Sequence, residues 1–492
     1  MASTPSSHIE ARQTAYAGNG LFARTAVPAG EEILRVGRPL VAALDSAQLR
    51  TTCANCFVSA YNNSQSQDEG AVGGEGTLKA CLGCQVVRYC SKDCQSVAWK
   101  HSHRFECKIF KALHPNVLPN TVRLVMQLLL RRHNGALSDS AWKSFLDLES
   151  HMADFKKSKV QNEDNLTTWQ TIELMSHAVV KYSGTKETVD NVQAMLARAM
   201  INTHTLTTPT LDPIGLCLDP RTALVNHSCT PNAHVVIDRG CLALRSLRSI
   251  PLDAEITLSY IDATTPTAKR SSELQSRYFF TCKCSSCSHL LTCGKPDPPQ
   301  DPSFERATAA AFGLQSEAVS LQTLEAARKL EAALTALQAF PPYWQPYASI
   351  QHQAFLNALS CQIWPLALKY GVASAVHIEP LQYPLPWHPI RVVRIWILLR
   401  LMVQILGLLQ EKDDAVQALK HLNLDWRNLS ITLYRQLRDD VAKSHGTDSS
   451  LAAEVKAFGD GLGDPSPGSE QMTAEVALRF LAQQLDRMVI KV

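Results

Sequence analysis

The spacing of apolar residues divides the chain into a strand-rich first part and a largely helical remainder. Residues 8–44 carry short apolar runs separated by Gly- and Pro-containing turns, a pattern typical of short strands. Residues 117–200 repeat apolar side chains at helical spacing, and Asp190 is expected to cap the last helix of this region. Residues 303–492 show helical spacing again, after a Pro-rich linker at residues 295–302.

The most apolar stretch is residues 390–410, but Arg391, Arg394 and Arg400 interrupt it. Its longest uncharged run, residues 401–410, is shorter than the roughly 20 residues that cross a bilayer as a helix. The first residues of the chain also lack the apolar segment of a signal peptide. We therefore expect a buried helix, and a protein that is neither secreted nor inserted in a membrane.

Polar and metal-binding residue types cluster at residues 224–232, which read Leu-Val-Asn-His-Ser-Cys-Thr-Pro-Asn and lead into a predicted hairpin at residues 233–245. Asn226 and His227 offer an amide and an imidazole to a polar ligand, and Cys229 offers a soft metal ligand. On their own, these residues could belong to an ordinary strand end.

Two later stretches make the cluster more specific. An apolar strand ends in Tyr260, and Cys282-x-Cys284-x2-Cys287 follows. This cysteine run offers only three ligands, whereas a structural zinc normally takes four.

Fifteen cysteines in a chain without a secretory signature indicate metal binding rather than disulfides. Seven of them lie between residues 53 and 107, where Cys and His form four closely spaced pairs. Eight thiolate and imidazole ligands suit two tetrahedral zinc sites. His101 competes with His103, but only His103 has a three-residue gap to the next cysteine. The pairs are Cys53-x2-Cys56, Cys81-x2-Cys84, Cys90-x3-Cys94 and His103-x3-Cys107.

The order Asn-His-Ser-Cys, a strand ending in Tyr, and Cys-x-Cys-x2-Cys resembles the SET-domain protein-lysine methyltransferases. The upstream cysteine module resembles a MYND zinc finger, so nearly the whole chain is similar to the SET- and MYND-domain branch of that family. The resemblance implies a multidomain α+β fold. A β-rich SET core is split by the zinc finger and a helical insert, and is followed by a post-SET zinc cluster and a helical, tetratricopeptide-like C-terminal domain. The implied domains are 1–49 (first part of SET), 50–107 (MYND), 108–198 (helical insert), 199–262 (SET core), 263–294 (post-SET) and 303–492 (C-terminal domain).

The resemblance also implies how the zinc ligands combine. Cys229 would complete a third site with the three post-SET cysteines, although Cys293 is a rival fourth ligand. A long segment between the first two pairs, residues 57–80, is rich in small and polar residues and is expected to be disordered. The first two implied sets are Cys53, Cys56, Cys90 and Cys94, and Cys81, Cys84, His103 and Cys107.

The implied transfer site draws on residues from the whole SET region. Tyr260 would supply the catalytic hydroxyl, and Tyr278 and His204 would line the lysine channel. His204 replaces the aromatic residue usual in the family, and a plain loop histidine is the simpler alternative. Tyr278 and Phe280 could instead be core aromatics. The implied cofactor contacts are Gly18, Asn19 and Gly20 through the backbone, together with Asn202, Asn226, His227 and Phe280.

The resemblance therefore implies methyl transfer from S-adenosyl-L-methionine to lysine side chains of histone or non-histone proteins, with three structural Zn²⁺ ions. The alternative is a catalytically weak MYND and tetratricopeptide-like adaptor, and proline-containing peptides are candidate partners of the MYND module. Residues 88–132 carry nine Lys/Arg against two Asp/Glu. Zinc thiolates offset part of that charge, so direct nucleic-acid binding is expected to be weak or absent. We expect a monomer in the nucleus, the cytoplasm or both.

Overall fold

The structure, a computed structural model, describes residues 8–14, 18–60, 78–298, 301–319, 321, 323–422, 424–463 and 472–488. Packing divides the chain into two compact units. The first comprises Met1–Tyr260 and Ser272–Cys282, and the second comprises Ile261–Ser271 and Lys283–Val492.

Short strands form the β-rich part of the first unit, as the apolar pattern of residues 8–44 and the predicted hairpin at 233–245 indicate. The strands are β1 (Ile9–Gln13), β2 (Asn19–Ala23), β3 (Glu32–Val36), β4 (Val41–Leu44), β5 (Lys79–Ala80), β6 (Arg88–Tyr89), β7 (His204–Thr207), β8 (Pro213–Leu218), β9 (Asn226–His227), β10 (Ala233–Asp238), β11 (Cys241–Ser246) and β12 (Glu255–Leu258). They form sheets of order β1-β2-β12-β9, β10-β11-β3 and β4-β8-β7, and β5 pairs with β6.

Strand β12 is the element on which the site depends, because it pairs with β2 on one side and with β9 on the other. Its pairing with β9 is parallel and sets Thr257 opposite Asn226. The side chain of Asn232 reinforces this arrangement, since its Nδ2 donates to the carbonyl of Glu255 at 2.8 Å and its Oδ1 accepts from the Thr257 N–H at 2.8 Å. The segment that follows β9 is therefore tied to β12 by side-chain as well as backbone hydrogen bonds.

The first unit also contains helices, of which α3, α6 and α7 share one apolar core. The expected cap of α7 is wrong: Thr188 is the N-cap and accepts from the Asn191 N–H, whereas Asp190 lies in the first turn. Thr188 has the extended backbone of a cap, which lets its hydroxyl turn back onto the helix. The helices are α1 (Lys92–Ala98), α2 (Arg104–Leu113), α3 (Asn120–His133), α4 (Asp139–Leu146), α5 (Met152–Lys157), α6 (Thr168–Ser183), α7 (Val189–Asn202) and α8 (Thr267–Tyr278), with the division between the units falling inside α8.

The second unit is almost entirely helical. Its elements are α9 (Ser285–Ser288), β13 (Leu291–Thr292), β14 (Lys295–Pro296), α10 (Pro302–Val319), α11 (Leu324–Ala336), α12 (Tyr347–Ser360), α13 (Trp364–Ala373), α14 (Glu379–Gln382), α15 (Pro389–Glu411), α16 (Gln417–Lys420), α17 (Trp426–Ser444), α18 (Ser450–Asp460) and α19 (Ala474–Asp486). From α10 to α13, each helix packs against the next along the chain.

Among the described residues, α15 is the one helix long and apolar enough to cross a membrane by length and composition. Core helices of soluble proteins meet the same criterion. Val392, Trp396 and Leu399 of α15 are buried within the second unit. The buried helix expected at residues 390–410 is therefore present.

Two of the expected loops lie partly outside the described residues. The expected disordered insertion at residues 57–80 includes 61–77, which are not described, and the Pro-rich linker includes 299–300. The expectation is wrong for Lys79–Ala80, which form β5 because they pair with β6. The described parts of the linker contain β14 and the start of α10. The domain boundaries and the tetratricopeptide-like character of the C-terminal region stay predictions.

Candidate active site and metal centres

Eight ligands of the zinc-finger region gather into two sets, and within each set the ligand atoms all lie within 4.8 Å of one another. Around a tetrahedral zinc with Zn–S bonds near 2.3 Å, neighbouring sulfurs lie about 3.8 Å apart. Sulfurs of Cys56 and Cys90 are 3.6 Å apart, and those of Cys81 and Cys107 are 3.8 Å apart. Donor chemistry and spacing therefore suit Zn²⁺. The sets are Cys53, Cys56, Cys90 and Cys94, and Cys81, Cys84, His103 and Cys107.

Local structure explains how the first set forms. An isolated parallel bridge joins Cys53 to β6, the strand that leads into Cys90. Ser91 caps α1, and its hydroxyl accepts from the Cys94 N–H at 3.1 Å, which turns Cys90-x3-Cys94 around the helix start. Asn55 donates to the Cys94 sulfur at 3.3 Å. Such hydrogen bonds orient metal ligands and favour the thiolate.

His103 fits a metal ligand by both geometry and protonation. It ends a π-helical turn, Trp99–His103, and its Nε2 lies 3.3 Å from the sulfur of Cys81 and 3.7 Å from that of Cys84. Burial lowers the pKa of His103 to about 4. The imidazole is therefore neutral at neutral pH, as coordination requires. His101 is not part of the set.

A third set contains Cys229, Cys282, Cys284 and Cys287, whose sulfurs also lie within 4.8 Å of one another. Cys293, the rival fourth ligand, is not among them. Three groups of ligands in the described residues thus suit zinc.

Arg270 is fully buried and lies beside Cys287 of the short helix α9. Its guanidinium donates to the carbonyls of Thr265 and Leu291 and to the hydroxyl of Thr267, and one N–H points at the Cys287 sulfur at 3.9 Å. A fixed positive charge beside a thiolate offsets part of the negative charge that a four-cysteine zinc site carries.

A cluster of rings forms around Tyr260. Its ring centroid lies 5.0 Å from that of Tyr278, 5.3 Å from that of His227 and 6.5 Å from that of Phe280. The rings of His227 and Phe280 are 5.8 Å apart. The structure therefore brings together four candidate site residues that come from three separate stretches of sequence.

The hydroxyl of Tyr260 donates a hydrogen bond of 2.6 Å to the carbonyl of Val225. Burial raises the pKa of the Tyr260 phenol, so the hydroxyl is protonated at neutral pH. With its proton committed to Val225, the phenol oxygen can accept a hydrogen bond from another group.

His227 links the transfer residues to the third set of cysteines. Its Nδ1 accepts from the Tyr260 N–H at 3.0 Å, so the neutral ring carries its proton on Nε2. That Nε2 lies 3.3 Å from the sulfur of Cys229. Tyr260, His227 and Cys229 are thus held in one chain of contacts.

Asn226 lies beside the opening Gly-Asn-Gly loop. Its Nδ2 donates to Glu255 Oε1 at 2.7 Å and approaches the carbonyl of Asn19 at 3.4 Å. A Cβ on Gly20 would lie 2.6 Å from that Glu255 oxygen and 2.8 Å from Asn226 Nδ2. Gly18 has φ +68, a conformation that favours glycine. The loop therefore passes the Asn226 amide at a distance only a glycine permits, which fits a loop whose backbone approaches a ligand.

Asn202 and His204 have other partners. The Asn202 amide donates to the carbonyl of Glu149, between α4 and α5, at 2.9 Å and to that of Arg198 in α7 at 2.8 Å. His204 begins β7 opposite Cys217 of β8, and burial lowers its pKa, so its imidazole is neutral at neutral pH. Their assignments to cofactor and lysine channel stay predictions.

Three groups at the site are not predicted from the sequence: the side chains of Glu255 and Asn232, and the carbonyl of Val225. The one available signal is the position of Asn232, directly after the cluster in a Thr-Pro-Asn turn. Glu255 is an ordinary residue at a strand start, and a backbone carbonyl has no residue-type signature.

Comparison with known proteins agrees with this geometry. Residues 18–261 match the family model of the SET domain. The chain is 30% identical over 282 residues to SET domain and MYND-type zinc finger protein 6 of Schizosaccharomyces pombe, covering 57% of this chain and 52% of that protein. It is 31% identical over 281 residues to the Homo sapiens histone-lysine N-methyltransferase SMYD3, covering 57% of this chain and 61% of that protein. It is also 31% identical over 214 residues to the Homo sapiens N-lysine methyltransferase SMYD2, covering 43% and 48%. The chain thus spans roughly half of the length of these relatives.

Proposed function

We propose that this chain, a SET-domain protein of the SET- and MYND-domain family, is an S-adenosylmethionine-dependent protein-lysine N-methyltransferase. The observation that carries the proposal is the protonated Tyr260 phenol, fixed on the Val225 carbonyl and surrounded by Tyr278, His227 and Phe280. The opening loop passes Asn226 so closely that only glycine fits at position 20, which supports a cofactor site beside Asn226.

The chemistry requires two groups to be aligned and water to be excluded. S-adenosylmethionine, when bound, supplies a methyl group on a sulfonium. Asn226 and Phe280 would hold it through an amide and an aromatic face, together with the backbone of residues 18–20. His227 would contribute the face of its ring and its backbone, because both of its ring nitrogens already have partners.

Tyr260 and Tyr278 act on the lysine. Their rings give the amine partly desolvated surroundings, which favour the neutral amine over the ammonium ion and so expose its lone pair. The Tyr260 oxygen, its own proton held by Val225, accepts a hydrogen bond from an N–H of the amine and orients it.

The test is methyl transfer from labelled S-adenosylmethionine onto proteins of a cell extract. We expect Tyr260→Phe to lower the rate about 100-fold or more, as removal of a positioned hydroxyl does. Tyr182→Phe is the matched control, because Tyr182 is half-buried against the same apolar core and has no role in the proposed scheme.

The outcomes separate the alternatives. Labelling by wild type and by Tyr182→Phe, but not by Tyr260→Phe, supports the enzyme. Cofactor binding without any labelling would favour the catalytically weak adaptor. Failure of the folded, zinc-loaded wild type to bind the cofactor would overturn the proposal.

We further propose that the three ligand sets hold three structural Zn²⁺ ions and that the MYND module binds proline-containing peptides. Exposed Leu82 and Trp99, at 89% and 44% of their full accessibility, support a peptide-binding role of that module. The packing of each helix from α10 to α13 on the next supports a tetratricopeptide-like array. A monomer in the nucleus, the cytoplasm or both, with weak or absent nucleic-acid binding, completes the proposal.

A further inference from the structure

Glu255 occupies a position that the proposed transfer scheme leaves without a role. It begins β12, pairs with Phe22 of β2, and is half-buried. Its carboxylate Oε1 accepts from Asn226 Nδ2 at 2.7 Å. Its backbone carbonyl separately accepts from Asn232.

The two neighbours of the Asn226 amide determine which way that amide faces. A carboxylate oxygen and a backbone carbonyl only accept hydrogen bonds, so the atom that faces both Glu255 and Asn19 must be the Nδ2 donor. The Asn226 Oδ1 then points away from both groups. An amide without these partners would present its oxygen or its nitrogen with little preference.

From this geometry we infer that Glu255 is a positioning residue for cofactor binding: it fixes the Asn226 amide so that its carbonyl oxygen is presented to an N–H or O–H donor of the cofactor. The inference rests on the proposed function, since it assumes that Asn226 contacts S-adenosylmethionine. Glu255 itself acts through Asn226 and does not need to touch the cofactor.

Hydrogen bonds to a charged partner are among the stronger ones in proteins, and their loss changes an equilibrium by about 10- to 100-fold. Glu255→Ala should therefore weaken binding of S-adenosylhomocysteine about 10- to 100-fold. Glu255→Gln keeps an acceptor oxygen in the same place and should bind within about threefold of wild type, because orientation of Asn226 is the property at stake.

Kinetics distinguish positioning from a general structural role. In Glu255→Ala, the KM for S-adenosylmethionine should rise while kcat at saturating cofactor stays within about twofold, because Tyr260 and Tyr278 are untouched. Glu32→Ala is the matched control: Glu32 is also half-buried on a strand of the first unit, but its partners are Arg35 and Arg245 and not residues of the site. This control should change stability to a similar extent and leave cofactor binding unchanged.

The experiment is calorimetric titration of S-adenosylhomocysteine into the four zinc-loaded proteins, with initial rates measured alongside. Weak binding by Glu255→Ala and restoration by Glu255→Gln support the inference. Wild-type affinity in Glu255→Ala, or equal loss in the Ala and Gln variants, overturns it while leaving the proposed function intact. If wild type itself binds no S-adenosylhomocysteine, the proposed function and the role of Glu255 fail together.

Discussion

Replacing Gly20 by alanine adds one methyl group where the opening loop passes the Asn226 amide. The added Cβ would lie 2.6 Å from Glu255 Oε1, 2.8 Å from Asn226 Nδ2 and 2.8 Å from Thr14 Cγ2, all too close for unbonded heavy atoms. The φ of Gly20 is outside the left-handed region, so alanine meets no backbone obstacle and the effect is steric. Because the Glu255 oxygen and the Asn226 nitrogen are bonded to each other, moving either one disturbs their hydrogen bond.

Inserting a methyl group into a packed site costs about 1–3 kcal/mol. If this free energy is lost from cofactor binding, Gly20→Ala should bind S-adenosylhomocysteine roughly 10- to 100-fold more weakly than wild type. Calorimetric titration measures this directly, and thermal unfolding reports how much of the cost falls on folding instead.

Two neighbouring glycines serve as controls. Gly37→Ala should be neutral, because no atom lies within 4 Å of its would-be Cβ and its φ is not left-handed. Gly18→Ala meets open space but has φ +68, so it should lower folding stability by about 1–2 kcal/mol through backbone strain, without a clash at Asn226. Cofactor binding by Gly20→Ala within twofold of wild type would refute the steric reasoning.

Three further changes test other parts of the molecule. Arg270→Gln should lower the free energy of unfolding by about 3–5 kcal/mol, because it leaves buried carbonyls without a hydrogen-bond donor. It should also lower the zinc content from three equivalents towards two. An unchanged melting temperature together with three bound zinc ions would contradict this. His103→Ala should lose one zinc while His101→Ala keeps all three, measured by metal analysis, and equal zinc contents would exclude His103 as a ligand. Burial raises the pKa of Glu379 to about 7 from 4.5, so Glu379 alone should lower the free energy of unfolding by about 3 kcal/mol as pH rises from 4.5 to 7, measured as the change in the stability difference between wild type and Glu379→Gln. Glu379→Gln should lack that fall, and a stability difference from wild type that is independent of pH would count against the buried carboxylate.

The zinc ligands could be predicted from the sequence because both ligands of each pair lie within a few residues of each other. Cys90-x3-Cys94 needs only a helix start with a serine cap to bring two sulfurs together. The choice of His103 over His101 likewise depends on a local three-residue gap. Helix caps are less certain from sequence, since Thr188 and Asp190 are both good capping types and the backbone decides between them.

Long-range pairing explains what the sequence did not reveal. Glu255 meets Asn226 because β12 runs parallel to β9, and the register between such strands depends on the whole sheet. The ring cluster around Tyr260 was accessible only through family resemblance, because nothing in the local patterns shows that Tyr278 and His227 lie beside it.

The pairing of β12 with β2 and β9 also determines when the sheet can form during synthesis of the chain. Asn19 and Asn226, which meet in the finished sheet, are 207 residues apart. The partner of the β2 edge is β12, whose Glu255 pairs with Phe22 and follows it by 233 residues. At about 5–20 residues per second, the ribosome needs roughly 12 to 47 s to make this part of the chain, and for that time β2 has an unpaired edge.

Ligands for the first two zinc ions are made early in this interval. The zinc finger can therefore fold while the strands that flank it in sequence still await their partners. Nascent chains arrested before residue 255 should show zinc-dependent protease resistance of the segments that carry the ligands, residues 53–60 and 78–113, and a protease-sensitive β1–β2 hairpin. Until β12 emerges, the β2 edge of such a chain is open to pairing with another strand.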